Sequence, residues 1–132
     1  MAPRFGPQLI GEAEKTLDAV LMSELVGTGL DQREWVTLRL AAQRDGLDDA
    51  GLASAVRERA HFHDATVLVG RLRDQGLVRD GALTTLGQSR LAEIQASITR
   101  RTAPIWEGLP ADDVAAAARV LDEVISRARA VL

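Results

Sequence analysis

The 132-residue sequence predicts a mainly α fold in which a helix, a turn, a second helix and one very short β-hairpin are set between longer helices. Three observations lead to that class. Leu, Ala and Val dominate the apolar residues while aromatics reach only 3%, and the apolar positions recur at helical spacing along most of the chain. Gly76 follows the run Ala65, Leu68, Val69 and Leu72 as a helix stop, since glycine tolerates the left-handed backbone that a helix end needs. Asp80-Gly81 then lies between Leu77-Val78-Arg79 and Ala82-Leu83-Thr84, and a tight turn with positive φ at both central residues favours that pair.

The elements follow in order. Residues 1–7, with two prolines and a glycine, read as a loosely held arm. Residues 8–26 carry Ile10, Ala13, Leu17, Val20, Leu21 and Leu25 on one helical face, and Gly27-Thr28-Gly29 stops them. Asp31 with Glu34 forms a capping box for the second helix, and Leu30 with Trp35 a hydrophobic staple. Leu38, Ala41 and Ala42 continue its buried face until Arg44-Asp45-Gly46. The third helix starts at Asp48 or Asp49, runs to Arg59 and buries Leu52, Ala55 and Val56; the fourth runs from about Phe62 to Gln75. After the hairpin, Thr85 with Gln88 fits a second capping box, and Leu91, Ile94, Ile98 and Ile105 mark one face of a long helix in which Pro104 predicts a kink. Pro110 with Asp112 and Asp113 restarts the chain. In the last helix Val114, Ala118, Leu121, Ile125, Ala128 and Leu132 are spaced as a heptad seam, which needs a second helix against it from its own domain or a two-fold partner. The partner is the sharper reading, because the domain core already has three other helices to bury.

The string Leu72-Arg73-Asp74-Gln75-Gly76-Leu77-Val78, followed by Leu83-Thr84-Thr85-Leu86-Gly87, resembles the recognition helix, wing and next helix start of MarR-family winged-helix transcription regulators. The likeness rests on the order and spacing of parts and covers about residues 8–132. It implies one winged helix-turn-helix domain over 1–132, with a short β-hairpin wing and N- and C-terminal dimerisation helices at 1–30 and 105–132. Residues 31–104 would be the DNA-binding lobe with a long connecting helix, and 49–84 the helix-turn-helix and wing. It also implies a homodimer on double-stranded, pseudo-palindromic operator DNA, and a small phenolic or other lipophilic effector between the dimer helices and that lobe. The function expected is that of a small-molecule-responsive repressor.

Counted back from Leu72 without a gap, the groove-facing positions implied are His63, Asp64, Thr66, Val67 and Gly70. Arg57, Arg59, Arg71, Arg73 and Arg79 are phosphate-contact candidates, with Arg71 and Arg79 foremost. The chemistry departs from the usual Ser, Thr, Arg and Lys of such faces. Asp64 brings a negative charge toward a polyanion, Val67 offers only apolar contact, and Arg79 is the one arginine beside the turn. Asp64 also has a structural reading, as a carboxylate stabilising the first turn of the fourth helix by roughly 0.3–1 kcal/mol. The net charge of −3 is unlike a nucleic-acid footprint, although residues 55–80 carry five Arg against four acids. A ligand-sensing or protein-interaction dimer without tight DNA binding is therefore the alternative.

Trp35, Leu38, Leu91 and Ile94 are the candidate pocket residues, with the core as the competing assignment for either tryptophan. His61 and His63, two apart on a helix, would point about 200° away from each other and could not share a metal. The sequence lacks cysteine, phosphate-loop and nucleophile-elbow patterns, which argues against an enzyme and against a metal or cofactor. No 18-residue apolar run or export signal is read, so the expected compartment is the cytoplasm, away from membranes.

Overall fold

Helices α1 (Pro7–Leu25), α2 (Gln32–Gln43), α3 (Asp49–Ala60) and α4 (Ala65–Asp74) lead into strands β1 (Val78–Arg79) and β2 (Ala82–Leu83). Helices α5 (Thr85–Trp106) and α6 (Ala111–Ala130) follow. This is a computed structural model, and it describes residues 2–44 and 46–132. Asp45, in the expected stop of α2, lies outside the described residues, as does Met1. The chain separates into two compact units, Met1–Arg100 and Arg101–Leu132.

The first unit is built on one apolar core. Trp35 and Leu38 of α2, Leu52 and Val56 of α3, Leu68 and Leu72 of α4, and Leu77 and Val78 are almost wholly buried, with Leu25, Leu30 and Ile94 joining them. Each pair on a helix is spaced by three or four residues, so each helix gives the core one stripe. The caps that hold these helices are local. Asp31 accepts from the Glu34 amide at 2.8 Å while Glu34 Oε1 accepts from the Asp31 amide at 3.3 Å, so the expected capping box is complete. Asp48, rather than Asp49, caps α3 by accepting from the Gly51 amide at 2.7 Å. At the end of α4 the Leu77 amide reaches back to the Leu72 carbonyl and Gly76 sits at φ 76°, the left-handed stop read from the sequence.

Two starts differ from expectation. Helix α4 begins at Ala65, not near Phe62: His61 turns left-handed at φ 58° to end α3, and residues 61–64 form the connection. Helix α5 is capped by Thr84 rather than Thr85, because the Thr84 hydroxyl accepts from the Gly87 amide at 3.0 Å and donates to the Gly76 carbonyl at 2.6 Å. Gly87 is required there, since a side chain would collide with the Leu77 carbonyl.

The second unit consists of the end of α5, a turn with Gly108 at φ 80°, and α6. Helix α5 continues through Pro104 to Trp106. Pro110 precedes α6, and Asp112 and Asp113 in its first turn with Arg127 and Arg129 in its last complement the helix dipole. Among the described residues no helix is long and apolar enough to cross a membrane.

Candidate nucleic-acid interface

Helix α4 divides cleanly into two faces. Ala65, Leu68, Val69 and Leu72 are buried, which turns Thr66, Val67, Arg71 and Asp74 to solvent with Gly70 half-buried between them. Thr66, Val67, Gly70 and Arg71 are thus neighbours at helical spacing on the outer face, and Val67 is 52% exposed. From α3, Arg57 Nη2 donates to Thr66 Oγ1 at 2.8 Å, which brings its guanidinium beside that face. His63 is exposed but belongs to the connection before the helix. The geometric reason given for separating His61 from His63 therefore does not apply, since neither is helical. Among the described residues no cluster of His, Cys, Asp or Glu is placed to hold a metal ion.

Asp64 stands at the N-cap position of α4 without a side-chain bond to the helix, and its carboxylate instead pairs with Arg33 of α2. Asp64 thus stands one position before the first turn expected for it, and its carboxylate also makes a contact between elements. Arg33 also lies over the Phe62 ring, 5.0 Å from its centroid, a cation–π arrangement that accounts for an aromatic residue in the turn. One residue on, the buried Glu34 accepts from Gln75 Nε2 at 3.0 Å through its second oxygen. The first turn of α2 therefore holds α4 at both ends. Residues 31 and 41 positions apart make these contacts, and no local pattern in the sequence announces them.

The wing is short and its tip is held down. Val78 pairs with Leu83 and Arg79 with Ala82, while Asp80 and Gly81 take φ of 50° and 74° as the Asp-Gly pair predicts. Gly81 is buried, and a Cβ there would run into the Leu47 carbonyl. Asp49 binds the tip: Oδ1 accepts from the Gly81 amide at 2.9 Å and Oδ2 from Arg73 Nη1 at 3.1 Å. Arg73 is thereby committed to an ion pair. Arg59, Arg71 and Arg79 are exposed and, among the described residues, have no ion-pair partner.

Trp35 and Leu38 are core residues, whereas Ile94 and Leu91 each line a cavity of the first unit. One, of about 420 Å³, lies between the end of α1 and α5 and is bounded by Glu24, Thr28, Arg90, Glu93, Ile94 and Ser97. Arg90 donates to the Thr28 carbonyl at 3.1 Å, and Ser97 to Glu24 at 3.0 Å. The other, of about 300 Å³, is lined by Leu83, Leu91 and Ala92 with Arg39, Gln43 and Gln95. Trp35 and Leu38 line neither.

On α6 the seam residues Val114, Ala118, Leu121, Ile125 and Ala128 are all exposed, together with Val120 and Val124. Leu132 lies beyond the end of the helix, which stops at Ala130, so the helical part of the seam ends at Ala128.

A helix, a turn and a second helix with one buried face, closed by a two-stranded hairpin and followed by a long helix, make a winged helix-turn-helix fold like that of MarR-family regulators. Solved structures with this fold include the regulator CouR from Rhodococcus jostii RHA1 bound to p-coumaroyl-CoA, at 23% identity over 88% of each chain with a TM-score of 0.72. The MarR family protein Rv2887 of Mycobacterium tuberculosis matches in its complex with DNA, at 24% identity over 91% of this chain and 98% of that one, TM-score 0.68. Its complex with salicylic acid matches at 24% identity over 90% and 98%, TM-score 0.67. At these identities the likeness is one of fold. No family model matches the sequence, and no curated protein does.

Proposed function

We propose that the chain is a homodimeric, sequence-specific DNA-binding transcription regulator of the MarR type, without catalytic activity, acting as a small-molecule-responsive repressor. The observation that carries this reading is the outer face of α4. It is solvent-facing, carries Arg71, has Arg57 beside Thr66, and is supported from behind by an apolar core. In this reading Thr66, Val67 and Gly70 meet base edges, His63 lies at the helix start, and Arg57, Arg71 and Arg79 meet phosphates. Asp64 positions α4 through Arg33. The half-buried Ile10, Leu17 and Val20 of α1 and the exposed apolar face of α6 would supply the surfaces through which two copies join, with Val114, Ala118, Leu121, Ile125 and Ala128 at the contact. The cavities beside Ile94 and Leu91 are the candidate places for a small aromatic or lipophilic effector, by analogy with neighbours bound to salicylic acid and p-coumaroyl-CoA.

A second reading has one specific observation in its favour. The wing tip is pinned on α3 by Asp49, and the exposed Asp74 and Asp80 add negative charge at the end of α4 and at the wing turn. A dimer that senses a ligand or binds a protein without tight DNA binding would tolerate both. Fluorescence anisotropy against duplexes carrying two half-sites about one helical turn, ~10 bp, apart separates the two. If Arg57, Arg71 and Arg79 of each protomer each neutralise a phosphate, log K should fall with log salt at a slope of about −5. Arg79→Ala should weaken binding to all sequences alike and flatten that slope by about 2 per dimer. Absence of binding to any duplex at low salt would select the second reading.

A further inference from the structure

Two residues on the outer face of α4 run against what the helix itself would favour. Val67 is a β-branched apolar residue left 52% exposed, and Gly70 is a glycine in a helix interior. Gly70 has no internal reason to be glycine: its φ is not positive, and an added Cβ would meet only the flexible end of Arg73 at 3.7 Å. Gly81 and Gly87 are different, because a side chain at either would strike backbone. Departures from local preference with no packing cause are expected where a surface meets a partner.

Val67 and Gly70 are three apart, so the missing side chain leaves a shallow notch directly beside the valine methyls. The notch is bordered by Thr66, whose hydroxyl accepts from Arg57 and keeps its proton to donate, and by Arg71. In the DNA major groove the one apolar group on a base edge is the 5-methyl of thymine, and apolar side chains recognise it. We infer that Val67 and Gly70 form the specificity-determining seat for a thymine methyl in each half-site, with Gly70 letting the backbone of α4 approach the base edge. This rests on the DNA-binding reading. It adds to it that sequence is read here by a methyl contact and close approach, with a single hydroxyl donor, rather than by a fork of charged side chains.

Duplexes recovered by selection from a random library serve as the probe, with each thymine replaced in turn by uracil, which removes the methyl and leaves pairing unchanged. At one thymine per half-site the wild type should bind the uracil duplex about fourfold more weakly, the worth of one buried methyl. Val67→Ala should abolish most of that difference while melting at or slightly above the wild-type temperature. Gly70→Ala should move stability and binding in opposite directions, with a melting temperature about 2–6 °C higher and binding at least tenfold weaker. The inference is overturned if Val67→Ala keeps the full uracil penalty, or if Gly70→Ala binds as tightly as the wild type. If the wild type selects no duplex at all, the DNA-binding reading falls first and this one with it.

Discussion

Removing the Asp49 carboxylate should be the most costly single change at the wing. The side chain stands at the first helical position of α3 and reaches two other elements, accepting from the Gly81 amide at 2.9 Å and from Arg73 at 3.1 Å. In Asp49→Ala the Gly81 amide stays in a buried turn with its acceptor gone, a loss of about 1–3 kcal/mol. The Arg73 side chain is 57% exposed, so that pair contributes only about 0.2–1 kcal/mol after solvent screening. The carboxylate's place in the first turn of α3 adds about 0.3–1 kcal/mol. Together the substitution should cost about 1.5–5 kcal/mol in urea unfolding at fixed protein concentration. Asp49→Asn keeps an acceptor for Gly81 and should cost about 1 kcal/mol, the charge-dependent part alone. Hydrogen exchange at the Gly81 amide should accelerate in the Ala variant and stay slow in the Asn variant. A loss below about 0.5 kcal/mol for Asp49→Ala, within the range of ordinary surface substitutions, would refute the claim that this residue holds the wing tip down.

Three further perturbations probe separate parts of the molecule. A double-mutant cycle of Arg33→Ala and Asp64→Asn should give a coupling of about 0.2–1 kcal/mol, as befits a half-exposed pair; zero coupling would return Asp64 to a role within α4 alone. Thr84→Ala should destabilise the fold by about 1 kcal/mol and Thr85→Ala hardly at all, because only the former caps α5; equal effects by thermal melting would contradict the cap assignment. Leu121→Asp places a charge on the α6 seam and, where two copies meet there, should split or unfold the assembly. Sedimentation of wild type and variant at micromolar concentration decides this, and a monomeric wild type removes the dimer.

What the sequence makes legible here is what neighbours along the chain decide. The Asp31–Glu34 box, the Asp80-Gly81 turn and the Gly76 stop each need only a few consecutive residues, and each is found as read. The exposure of Thr66, Val67 and Arg71 likewise follows from counting outward from the buried Leu68 and Leu72. The start of α4 is different. Phe62 fits the apolar spacing of a helix, but its ring is held under Arg33, and Arg33 also takes Asp64, from 31 residues away. Thr84 and Thr85 are equal candidates by local preference. The choice falls to Thr84 because its hydroxyl also reaches the Gly76 carbonyl across the hairpin. Trp35 and Leu38 show the other limit, since periodicity marks a residue as inward-facing without saying whether a cavity or a packed core awaits it.

The two attachments from the first turn of α2 to the ends of α4 have a mechanical consequence. A rod tied at one end can swing, but one tied at both ends to the same short segment moves only with that segment. Arg33 and Glu34 are consecutive, so turning α4 against α2 breaks both attachments as well as the core packing the two helices share, and moving them together breaks neither. In the dimer proposed above, an effector therefore works at less cost by carrying the lobe than by turning the helix in place. The separation and tilt of the two readers would change, so that the responsive variable is the spacing along DNA the pair can span.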